Sequence, residues 1–80
     1  MGMEEVRSLI EELSMDPMVS RGVKRVIFNV KNILDECDEV GIKCDRAIQE
    51  LSQIDDFNID PFTKTKIWSL ISLLEELSNE

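Results

Sequence analysis

The stretch that decides the fold is Asp60-Pro61-Phe62-Thr63-Lys64-Thr65-Lys66-Ile67-Trp68-Ser69-Leu70-Ile71-Ser72-Leu73-Leu74-Glu75-Glu76-Leu77. It opens with Asp60, whose short carboxylate suits a helix N-cap. Pro61 follows, and its missing N–H costs nothing in a first helical turn. Ile67, Leu70, Ile71, Leu74 and Leu77 then recur at helical spacing and form one broad apolar face. Trp68, the single Trp of the chain, stands off that face. Such a stripe must be covered by other elements, because an isolated helix is marginal in water.

The chain supplies three more helices to cover it. Met3 to Ser14 reads as the first, with Val6, Leu9, Ile10 and Leu13 inward. Glu4 and Glu5 lie in its first turn, where they favour the positive end of the helix dipole. Met15 to Val19 is a connection, with Asp16-Pro17 as a turn. Ser20 is the expected N-cap of the second helix, and Asp16 would cap an earlier start. That helix carries Val23, Val26, Ile27, Val30, Ile33, Leu34 and Cys37 inward. Several of these are β-branched, which weakens helix propensity, but the period and the length argue against a strand. Asp38 to Gly41 closes it. The third helix is expected from about Ile42 to Ile54, with Cys44, Ala47, Ile48, Leu51 and Ile54 inward. Asp55 to Ile59 is a polar loop leading to Asp60. The expectation is an all-α fold, one domain over residues 1–80. Short connections predict a four-helix bundle with antiparallel neighbours.

Composition agrees with this frame. Eighty residues make one small domain, 42% hydrophobic and 32% charged, with 3 Gly and 2 Pro to interrupt its elements. The net charge of −8 favours solubility and disfavours unspecific binding to nucleic acid or anionic membranes. No signal peptide is visible, and no apolar run approaches the ~20 residues of a membrane span. The expectation is a soluble cytoplasmic protein with no membrane partner.

An internal repeat sharpens the architecture. Ile10, Leu13 and Ser14 match Ile48, Leu51 and Ser52 at an offset of 38 (48 − 10). Asp16, Val19, Lys24, Ile27, Phe28, Val30 and Leu34 match Asp56, Ile59, Lys64, Ile67, Trp68, Leu70 and Leu74 at an offset of 40 (56 − 16). A helical hairpin of this length is the unit of HEAT-like arrays, and two units are fewer than such arrays usually need. The reading is a bundle of two related antiparallel hairpins, a HEAT-like repeat pair, or a subunit that completes its core by self-association.

Two segments also carry a family resemblance. Lys64-Thr65-Lys66-Ile67-Trp68, followed by Ser72-Leu73-Leu74-Glu75, resembles the C-terminal signature of Uncharacterised Protein Family 0147, a small archaeal group. Val19-Ser20-Arg21-Gly22-Val23-Lys24-Arg25 is similar to the opening of that family's second helix. Ser20 stands where the family has Pro, and Lys64 where it has Arg, so no role needing a bidentate guanidinium carries over to Lys64. The resemblance implies a compact helical fold and an archaeal source. It brings no activity with it.

Chemistry is read mostly by subtraction. The chain has no His and no Tyr. General acid-base work near neutral pH would need a shifted carboxylate, Lys or Cys. There is no phosphate-cradling Gly loop and no dinucleotide fingerprint. Glu11-Glu12, Asp35-Glu36 and Glu75-Glu76 read as solvated helix faces. A carboxylate-bridged metal bundle would want Glu-x-x-His pairs, which this chain lacks. Cys37 and Cys44 are too few for a structural zinc site, and a disulfide between them is disfavoured in a reducing cytosol. Both continue apolar stripes and are read as small buried hydrophobes, with a redox switch or an intersubunit metal as the alternative. The expectation is no enzyme, no cofactor and no metal.

Two surfaces remain as candidate sites. Arg21, Lys24 and Arg25 open the second helix, and Lys64 and Lys66 the fourth, where cations oppose the helix dipole. Together they form a candidate anion edge for phosphate, RNA backbone or an acidic partner, unless they pair with nearby acids. Phe28 and Trp68 occupy matching off-core positions. At 100° per residue, Phe28 lies about 140° from Val23, and Trp68 about 100° from Ile67. With Lys24, Lys31 and Lys64 around them, they suit a self-association or docking patch, a homodimer being the commonest closed form. A wide stripe or a neighbouring helix covering both rings is the plainer reading. The favoured function is a helical interaction or scaffold module that self-associates. An anion- or RNA-contacting accessory factor is the alternative.

Overall fold

The computed structural model of the protein describes residues 2–54 and 59–79. The described residues form four helices: α1 (Gly2–Met15), α2 (Arg21–Leu34), α3 (Val40–Leu51) and α4 (Pro61–Ser78). No strand occurs among the described residues. The expected polar loop falls mostly on residues 55–58, which lie outside them, as does Asp56 of the repeat.

Capping chemistry sets the helix starts. Ser20 Oγ accepts a hydrogen bond from the Val23 N–H at 3.3 Å, and Asp60 Oδ2 accepts one from the Thr63 N–H at 3.3 Å. Each bond satisfies one orphan amide of a first turn. Asp16 caps no helix. Its carboxylate accepts the Met18 N–H at 2.9 Å and its carbonyl the Val19 N–H at 3.2 Å, which makes a turn.

The α2 end differs from the sequence expectation. The helix stops at Leu34, where the Asp35 N–H bonds the Lys31 and Asn32 carbonyls. The Glu36 N–H then reaches the Ile33 carbonyl, three residues back, at 3.2 Å. That tightening breaks the helical period, so Cys37 leaves the stripe and is exposed rather than buried. Helix α3 begins at Val40 and ends at Leu51. Ile54 therefore sits in a closing turn, with its N–H on the Leu51 carbonyl at 3.1 Å.

Each helix packs on two others. α1 meets α2 and α4, and α3 meets α2 and α4, whereas α2 and α4 lie diagonally across the core. Every neighbouring pair runs antiparallel. Arg7 near the start of α1 pairs with Asp35 at the end of α2, at 3.0 Å. Lys43 at the start of α3 donates to the Leu34 carbonyl at 3.2 Å. Ser78 at the end of α4 donates to Asp45 at 2.8 Å. Lys66 near the start of α4 reaches Glu12 near the end of α1 at 3.6 Å.

The core is the sum of the four stripes. Val6, Ile10 and Leu13 come from α1, Val23, Ile27, Val30 and Leu34 from α2, Cys44, Ala47 and Leu51 from α3, and Ile67, Leu70 and Leu74 from α4. Leu9, Val26, Ile33, Ile48, Ile71 and Leu77 are half-buried around it. They stand at the edges of their stripes, where the neighbouring helix covers one side of the residue only. Val19 and Thr63 are also buried, although the apolar periodicity assigned neither inward.

Candidate functional site

Trp68 projects from α4 and is 61% exposed. The Lys64 ammonium lies one turn earlier, 5.5 Å from the ring centroid. That geometry is a cation–π contact, worth about 0.5–1 kcal/mol where exposed. On one side of the ring, a groove of about 540 Å³ runs between α1 and α4. It is lined by Leu9 and Leu73 at its floor, Thr65, Ser69 and Ser72 along α4, and Glu5 and Glu76 at its rim. On the other side, Ile54, Ile59 and Ile71 line a smaller hollow against α3, about 250 Å³.

Phe28 projects from α2 and is 60% exposed. Its helix carries Arg21, Lys24, Arg25 and Lys31 and no carboxylate. Lys31 lines a hollow against α1 together with Arg7, Ile10, Glu11 and Ser14. Both aromatics lie about 130° around their helices from the centre of the buried face. Because α2 and α4 sit at diagonal corners, the two rings face opposite sides of the molecule. The structure does not bring Phe28, Lys24 and Lys31 together with Trp68 and Lys64. They form two surfaces.

The basic positions divide in the same way. Antiparallel packing puts the openings of α2 and α4 at one end of the molecule, on diagonal helices. Lys66 is committed to α1, 3.6 Å from Glu12 and 3.9 Å from Asp16. Lys64 rests on the Trp68 ring. Arg21, Lys24 and Arg25 meet no carboxylate among the described residues.

Both thiols are free. Burial pushes the Cys44 thiol above its ordinary value, and the neighbouring Asp45 carboxylate adds to this. Cys44 is thus held as an inert thiol. Among the described residues, no group of three or more His, Cys, Asp or Glu side chains is placed to hold a metal ion. No described helix is long and apolar enough to cross a membrane.

Sequence reasoning passed over Thr63, a polar residue in a core position. A usable signal existed: the offset of 40 (63 − 23) pairs it with Val23, which is inward on α2. Leu9, in the stripe of the first helix, packs against the core from its edge and also lines the α1–α4 groove.

These features define the class: a small all-helical protein that displays exposed aromatics on its outer helix faces. The chain belongs to the uncharacterised protein family UPF0147, whose model matches residues 2–77. A UPF0147 protein from Archaeoglobus fulgidus is 38% identical over 80 residues, spanning 99% of this chain and 92% of that protein. No solved structure matches the chain.

Proposed function

We propose that this protein is a small helical interaction module of the cytoplasm, without enzymatic activity of its own. It associates with itself, or with a protein partner, through the Trp68 face. A single observation carries this reading: the largest apolar side chain in the protein is 61% exposed beside an apolar-floored groove. Exposed aromatics beside a groove are what interface anchors look like before they are covered.

The architecture behind the proposal is a closed four-helix bundle made of two related hairpins. Paired positions in like environments support it. Ser20 and Asp60 are both N-caps, and Val23 and Thr63 are both buried behind them. Ser14 and Ser52 each donate a hydroxyl to the carbonyl four residues back, at 2.8 and 2.9 Å. Ile27 and Ile67, Val30 and Leu70, and Leu34 and Leu74 are buried pairwise. Two hairpins are fewer than a HEAT-like array usually needs, so here they close on each other, and association with another copy uses the outer helix faces. The smallest product is a dimer.

A second reading has its own observation. Arg21, Lys24 and Arg25 are cations without carboxylate partners among the described residues, in a chain of net charge −8. That supports an anion or RNA-backbone contact at the α2 opening.

Mass in solution tests the first reading. Wild type should show a mass that rises with concentration above the 9.2 kDa of one chain. Trp68→Ser with Phe28→Ser should return it to a monomer with helicity kept. A wild type that stays monomeric at high concentration and captures no partner through these residues would falsify the reading. Salt-dependent RNA binding lost in Arg21→Glu with Lys64→Glu would favour the second.

A further inference from the structure

The stripe around Phe28 and the rim of the groove beside Trp68 carry charges of opposite sign, Lys64 lying over the Trp68 ring rather than lining that groove. Of the nine basic residues, Arg7, Arg46, Lys66, Lys43 and Lys64 are engaged by Asp35, by Glu36 and Asp38, by Glu12 and Asp16, by the Leu34 carbonyl and by the Trp68 ring. The remaining four, Arg21, Lys24, Arg25 and Lys31, are all on α2 and meet no carboxylate among the described residues. At 100° per residue they fall within about 60° of Phe28 on either side. Phe28 is therefore the centre of a basic stripe, about 15 Å long from Arg21 to Lys31 at 1.5 Å per residue. The groove beside Trp68 has the reverse character. Its floor is apolar, with Leu9 and Leu73, and its rim carries Glu5 and Glu76, which form no ion pair among the described residues.

We infer that the occupant of the Trp68 groove is the α2 stripe of a second copy of this chain. Phe28 seats against Leu9, Trp68 and Leu73, and the α2 cations meet Glu5 and Glu76. This rests on the self-association reading and specifies its geometry. Because α2 and α4 are diagonal, the stripe and the groove face different sides of one molecule. Two copies can thus make one such contact but not both at once. The contact is head-to-tail, each pair keeps one free stripe and one free groove, and further copies add. Charge complementarity sets the direction: stripe to stripe sets cations against cations, and groove to groove sets carboxylates against carboxylates.

Two variants and their mixture test this by sedimentation. In the first, Arg25→Gln with Phe28→Gln disables the stripe. In the second, Glu5→Gln with Trp68→Gln disables the groove. All four positions are exposed, and circular dichroism checks that helicity is kept. Lys24→Gln with Arg25→Gln is an alternative stripe variant that leaves Phe28 in place. Wild type should grow past a dimer as concentration rises. Each variant alone should lose association. Their equimolar mixture should form a one-to-one pair and stop, since it holds one intact stripe and one intact groove. A stripe or groove variant that associates as wild type does overturns this contact and leaves self-association standing. A mixture that stays monomeric also overturns it. A wild type that is monomeric throughout removes both readings, and loss of RNA binding in the stripe variant would then assign α2 to nucleic acid.

Discussion

Thr63 is a polar side chain in an apolar position, 3% exposed, and Asp60 is the reason it can be there. The Thr63 hydroxyl donates to the Asp60 carboxylate, which also accepts the Thr63 N–H. A buried hydroxyl left without such a partner would cost about 1–3 kcal/mol. The hydroxyl bond is the main cause holding the Asp60 carboxyl below its ordinary value, against a smaller opposing effect of desolvation and with help from backbone amides. A carboxyl with a lowered folded pKa contributes stability above its unfolded pKa, about 4, and that contribution is lost as pH falls through the folded value. Asp60→Asn keeps a capping oxygen but removes the titration. Denaturant unfolding should find wild type more stable than this variant at pH 7, with the gap narrowing below about pH 4. A gap that stays constant on acidification would show that Asp60 does not act through its charge. Asp60 and Pro61 announce this cap in the sequence, whereas the burial of Thr63 is visible only through its offset of 40 (63 − 23) from the inward Val23.

The element scale is where periodicity was most informative. In α4 the stripe names five inward residues, but the structure separates them: Ile67, Leu70 and Leu74 are buried, and Ile71 and Leu77 are half-buried. Leu74→Ala should therefore cost roughly 2–5 kcal/mol in unfolding free energy. Ile71→Ala should cost clearly less, because Ile71 is half-buried and lines the open hollow against α3. Equal losses in thermal or denaturant unfolding would mean that α4 is rotated from the orientation described. The end of α2 was not legible in the same way. Cys37 stands at an apolar register position, but the chain tightens after Leu34, and no Gly or Pro marks the stop.

At the scale of the whole molecule, α4 closes the structure by packing on both α1 and α3. An 80-residue chain has little core to spare, since small domains bury a modest share of their surface. Removing residues 60–80 would uncover the inner faces of α1 and α3 together. The truncated chain should lose its cooperative thermal transition and most of its helicity by circular dichroism. A sharp transition in the truncated chain would show that the first three helices form a core of their own. The diagonal arrangement also decides what the exposed aromatics can do. Phe28 and Trp68 hold like off-core positions on α2 and α4, yet they point to opposite sides and cannot share one patch on one molecule.

What the sequence determined by itself was local and periodic. Four amphipathic segments, the caps at Ser20 and Asp60, and the off-core register of Phe28 and Trp68 all follow from spacing along one helix, which the chain specifies residue by residue. Tertiary structure decided which helices are neighbours, and with that everything that depends on two segments meeting. It placed Leu9 at a groove rather than fully inside, bound Lys66 to Glu12 and Asp16, left the α2 cations without carboxylates among the described residues, and set the two aromatic surfaces apart. Periodicity specifies the direction a side chain takes from its own helix axis, but not what stands opposite, because that depends on how the four helices pack around a shared core.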